Sequence, residues 1–125
     1  MSREAPLYVQ THDMLAWLIP HLESWPRAQR FLLAREVLES ATAFYRLLLR
    51  ARKTVGQERA AALLEADVEL ETLRALLRLG QERQYMSLDQ YAHISRILVE
   101  LGKQLGGWRA KLSADFQPPA VGTGS

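Results

Sequence analysis

Between Tyr91 and Leu112 large apolar side chains recur every three or four positions without a break: Tyr91, Ile94, Leu98, Leu101, Leu105, Trp108 and Leu112. Only a helix, at 3.6 residues per turn, gathers that spacing onto one face. Three further segments carry a helical period, and the sustained apolar/polar alternation of a half-buried strand is found nowhere. The chain is therefore expected to be all-α.

The stretches "SWP", "TVGQ" and "YMS" divide the sequence and place helices near residues 7–24, 26–53, 57–83 and 88–112. With 125 residues, of which 48% are hydrophobic, the chain can bury one core but not two. Short connections favour antiparallel neighbours. The expected architecture is an up-down-up-down antiparallel four-helix bundle over residues 1–112, with 113–125 as a flexible tail.

Local punctuation refines this. Ser24 is placed to cap a helix whose first turn tolerates Pro26, which has no amide to leave unpaired. Gly56 fits the far end of that helix. Ser87 and Gln90 have capping-box spacing at the start of the fourth helix, and Pro20 should kink or shorten the first.

The segment "LGKQLGGWRA" holds three glycines where each should weaken a helix by about 1 kcal/mol relative to alanine. Beside the large-residue seam runs a seam of smaller ones, Leu88, Ala92, Ser95, Val99, Gly102 and Gly106. Small side chains let helix backbones approach, so Gly102 and Gly106 are expected to lie against another helix. The other reading is a helix merely loosened near its end. Trp108 falls on the core seam, and Gly107 on neither.

Apolar surface exceeds what one bundle needs. The third helix has two stripes, Leu63, Ala66, Leu70, Leu73 and Leu77 on one side and Leu64, Val68, Ala75 and Leu79 on another. The second helix has an apolar arc of roughly 160°, wider than the stripe of a surface helix. Such excess predicts self-association, and a head-to-tail contact whose rotation closes gives a ring. The alternative is one fully buried central helix in a monomer.

Catalytic signatures are missing. The chain has no cysteine, and His12, His21 and His93 lie on different segments without metal-ligand spacing. No HExxH, phosphate loop or nucleophile motif occurs. Neither enzyme activity nor a metal or other cofactor is expected. No uncharged apolar run of membrane length and no secretory layout is present, so a cytoplasmic protein without membrane contact is expected.

A net charge of only +2 hides local concentration. Residues 27–53 contain Arg27, Arg30, Arg35, Arg46, Arg50, Arg52 and Lys53 against Glu36 and Glu39 alone. On a helical wheel Arg35, Arg46 and Lys53 share a strip with Arg50 close by, a geometry able to touch successive phosphates. The plainer account is a solvated face with an Arg35/Glu39 pair. Arg74 and Arg78 sit one turn apart, preceded by Asp67 and Glu71, which offset part of their field. A ring would repeat every such patch and make it multivalent.

Together "WPRAQRF", "LRALLRL", "LDQY" and "LGGW", in that order and spacing, resemble the accessory variability determinant (Avd) family of diversity-generating retroelements, across roughly residues 12–112. Avd proteins group with the four-helix-bundle proteins encoded in ribosomal RNA intervening sequences. The resemblance implies a non-catalytic homopentamer that binds the retroelement reverse transcriptase and template-repeat RNA through basic surfaces, supporting cDNA synthesis and mutagenic retrohoming. Within the matching motifs it points to Arg27, Arg30, Arg74 and Arg78; Arg46, Arg50 and Lys53 rest on the charge strip. The rival is a structural bundle of the intervening-sequence type with no retroelement partner.

Overall fold

A computed structural model describes residues 4–115. Four helices, α1 (Ala5–Glu23), α2 (Leu33–Arg52), α3 (Gly56–Glu82) and α4 (Leu88–Asp115), are joined by short turns, with a 3-10 turn at Arg27–Gln29 between the first two. No strand occurs among the described residues. Each helix packs on its chain neighbours, α1 also packs on α4, and the diagonal pairs do not meet. That closed square is the expected up-down-up-down bundle. Its antiparallel sense is visible where Tyr8, near the start of α1, donates to the Leu48 carbonyl near the end of α2.

The core follows the predicted periodicity. From α4 it takes Ile94, Leu98, Leu101, Leu105 and Trp108; from α3 it takes Leu63, Ala66, Leu70, Leu73 and Leu77. Phe44, Leu48, Val37, Met14 and Leu18 complete its centre. The other α3 stripe points away: Leu64, Val68 and Leu79 are 52%, 55% and 48% exposed. The fully buried central helix is thereby excluded for the single chain.

The α1–α2 connection departs from expectation. Ser24 ends α1 instead of starting α2, its hydroxyl donating to the His21 carbonyl at 2.6 Å. Pro26 is extended and α2 begins only at Leu33, without a side-chain cap. Pro20 lies within α1, which stops one turn later at Glu23. Trp25 explains why the chain detours: its ring is buried and fills the space that a Gly80 side chain would occupy. A Cβ at Gly80 would overlap Trp25 Cη2 and stand 2.9 Å from Cζ2.

Gly56 adopts a φ of +60° but opens α3, whereas α2 closes at Lys53. The left-handed conformation is glycine's to supply; it merely serves the following helix. At the end of α3 that conformation falls to Gln84, with φ of 63°. Its amide reaches the Gln81 carbonyl and that of Tyr85 reaches the Gly80 carbonyl, both at 2.8 Å, the double closure usually built on glycine. The capping box stands as predicted: Gln90 N–H donates to Ser87 Oγ at 3.1 Å and Ser87 N–H to Gln90 Oε1 at 3.0 Å.

Gly102 meets another helix, with Leu70 Cδ2 3.6 Å from where its Cβ would be; Gly106 and Gly107 face open space. Close packing within the subunit therefore explains Gly102 and not Gly106. α4 continues to Asp115, three residues into the expected tail, whose residues 116–125 lie outside those described. No described helix is long and apolar enough to cross a membrane.

Candidate nucleic-acid interface

The basic residues singled out from sequence fall into three exposed groups. Arg27 and Arg30 occupy the 3-10 turn, which follows directly from the buried Trp25. Arg30 Nε donates to the Trp25 carbonyl at 3.4 Å. Neither arginine has an ion-pair partner among the described residues.

Arg46 and Lys53 continue the exposed strip headed by Arg35, with Arg50 close by; Arg46 and Arg50 lie in α2 and Lys53 caps its end. Two turns separate Arg46 from Lys53, about 10 Å of axis. Arg35 is held by Glu39 at 3.1 Å, as its spacing predicts, whereas Arg46, Arg50 and Lys53 have no ion pair among the described residues. Since the 20 residues of α2 span about 30 Å, this group and the 3-10 turn occupy opposite ends of the bundle.

Arg74 and Arg78 line a groove between α3 and α4, joined there by Lys103 and faced by Asp67 and Glu71. The neutralisation differs from that expected: Asp67 turns to Arg109 at 3.1 Å, and Glu82 takes Arg78 at 3.3 Å. Arg74 keeps no ion-pair partner among the described residues. The three groups are on different faces, so one subunit does not gather them into one patch.

A cluster that sequence reasoning missed lies at the end of the bundle near Lys53. Arg52 stands 4.6 Å over the Tyr8 ring and Arg59 5.8 Å over the Trp108 ring, while Tyr8 and Trp108 meet edge to face at 6.3 Å. Arg59 Nε also donates to the Ala51 carbonyl at 2.8 Å. Burial pushes the Tyr8 hydroxyl up to about 12, against a smaller downward pull from Arg52. Trp108 is buried and packs as expected. The one available signal was its place on the core seam; its partners Tyr8 and Arg59 lie on α1 and α3, distant from it in sequence.

The histidines are structural or exposed. His21 stacks on Trp17 at 3.7 Å with Nδ1 2.6 Å from the Trp17 carbonyl oxygen, and His93 lies 5.1 Å from the same indole. His12 neighbours Asp13 at the surface.

Among solved structures, a protein of unknown function from the S23 ribosomal protein family of Bacteroides thetaiotaomicron VPI-5482 superposes with a TM-score of 0.80 at 16% identity, covering 87% of this chain and 99% of its own. At that identity the likeness establishes the fold. No curated protein matches the chain. The sequence pattern of the bAvd-like family, however, matches residues 7–112. That span runs from Leu7, the first buried residue of α1, to Leu112 at the end of the α4 seam, and so takes in the whole bundle: the chain belongs to the bAvd-like family.

Proposed function

We propose that this chain is a non-catalytic accessory protein of a diversity-generating retroelement, binding the reverse transcriptase and template RNA through basic surfaces during cDNA synthesis and mutagenic retrohoming. The observation that carries the reading is the family match across the whole bundle. The exposed cations that have no ion pair among the described residues supply its physical means, because binding to phosphates releases counterions without reading sequence.

The working form is a homopentamer. A single subunit separates its basic groups by the length of α2, whereas a ring repeats each group and turns weak binding into avid binding. The outward apolar stripe of α3 supports such assembly, since large exposed apolar patches mark interaction surfaces.

The test is mass-resolved size of the purified chain, alone and then with the cognate reverse transcriptase and template RNA. A pentamer joining both sustains the reading; a particle joining neither returns the chain to a structural bundle of the intervening-sequence type. Replacing Arg74 and Arg78 by alanine should leave helicity unchanged and weaken RNA binding. The slope of log affinity against log salt should flatten by about 0.7 for each single-strand phosphate that the variant no longer neutralises.

A further inference from the structure

Residues 26–35, "PRAQRFLLAR", hold three arginines and no acid. Phe31, in their middle, is 74% exposed, and Leu32 beside it 60%. One exposed apolar residue needs no explanation. A complete aromatic ring beside Arg27 and Arg30, which lack ion pairs among the described residues, does.

The turn that presents the ring is anchored. Gln29 N–H donates to the Pro26 carbonyl at 2.7 Å, Arg30 N–H to Arg27 at 3.2 Å and Leu32 N–H to Gln29 at 3.1 Å. Trp25, seated against Gly80, fixes its root in the core. Arginines at the centre of a protein interface would have to be desolvated and paired, and Glu23 is the one acid among the described residues lining the adjoining pocket with Arg30 and Arg35. A single strand of nucleic acid asks less, because phosphates meet the guanidinium groups at the wet rim while an unpaired base covers the ring.

We propose that Phe31 is a stacking platform for an unpaired base of single-stranded RNA, with Arg27 and Arg30 taking phosphates on either side of it. This rests on the RNA-binding reading above and adds to it a site at the bundle end away from Arg46, Arg50 and Lys53.

The experiment uses the full chain and a short single-stranded RNA carrying one 2-aminopurine, followed by its fluorescence and by anisotropy over a salt series. Stacking on an aromatic contributes about 1–3 kcal/mol per base. Phe31→Leu, which keeps apolar bulk without a π-face, should therefore weaken binding at least about fivefold, lose the 2-aminopurine quench and keep the wild-type salt slope. Phe31→Trp should retain both affinity and quench, and Arg27→Ala with Arg30→Ala should flatten the slope. Wild-type affinity and quench in Phe31→Leu would overturn the stacking site while leaving the basic-surface reading intact. No RNA binding by the wild-type chain would overturn both. A fall in particle mass for Phe31→Leu would mark the ring as part of a subunit interface and overturn the proposal in that way.

Discussion

Glycine costs a helix about the same anywhere in its interior, and yet the glycines here do different things. At Gly80 the missing Cβ makes room for the Trp25 indole; at Gly106 it makes room for nothing in the subunit. Gly80→Ala forces the buried ring or α3 to shift, and should destabilise the fold by about 1–3 kcal/mol, the usual range for overpacking. Gly106→Ala should raise stability of the isolated subunit by up to about 1 kcal/mol. Thermal unfolding of both variants by circular dichroism checks the contrast; equal effects would mean that helix propensity alone decides. The sequence draws attention to the conspicuous trio near Trp108 and not to Gly80, since a lone glycine in a periodic segment gives no sign of a ring arriving from 55 positions earlier.

Within the elements, periodicity is legible and the junctions are not. The seam of large residues identifies the buried face of α4, because burial repeats every turn and leaves many positions to agree; in α3 the same periodicity marks two stripes, of which the structure buries the one from Leu63 to Leu77. A cap depends on one hydroxyl choosing between neighbours. Ser87 has Gln90 as its reciprocal partner, and their spacing suffices to predict the bond; Ser24 has the last turn of α1 behind it and Pro26 ahead, and bonds backward. The α3–α4 turn holds a similar surprise in Gln84, whose left-handed backbone costs a residue with a Cβ roughly 1–2 kcal/mol. Gln84→Gly should relieve that strain and, after the greater freedom glycine gains when unfolded, stabilise the bundle by up to about 1 kcal/mol. A denaturation midpoint unchanged or lowered by this substitution would show the turn to be unstrained.

For the whole molecule, the outward stripe of α3 separates the subunit from its assembly. Leu64 and Val68 are each about half exposed, so Leu64→Glu with Val68→Glu should leave helicity and unfolding of the subunit nearly unchanged, as surface substitutions do. If the stripe joins subunits, light scattering will report a smaller particle; an undiminished mass would place the interface on another face. The bundle is legible because its topology follows from helix count and short turns. The candidate interface is legible only as charge and spacing: sequence gives the number of arginines on a strip and the one-turn separation of Arg78 from Glu82, while the choice of Arg109 for Asp67 depends on how α3 and α4 are rotated.

The seating of Trp25 against Gly80 reaches beyond stability. A larger residue at 80 meets the indole at once, so a smaller side chain at 25 is what would first permit it. The turn hung from that pair is under no such restriction. Arg27, Arg30 and Phe31 project outward from a fixed root, so each side chain can be replaced without disturbing the interlock beneath, which holds the place from which they are offered.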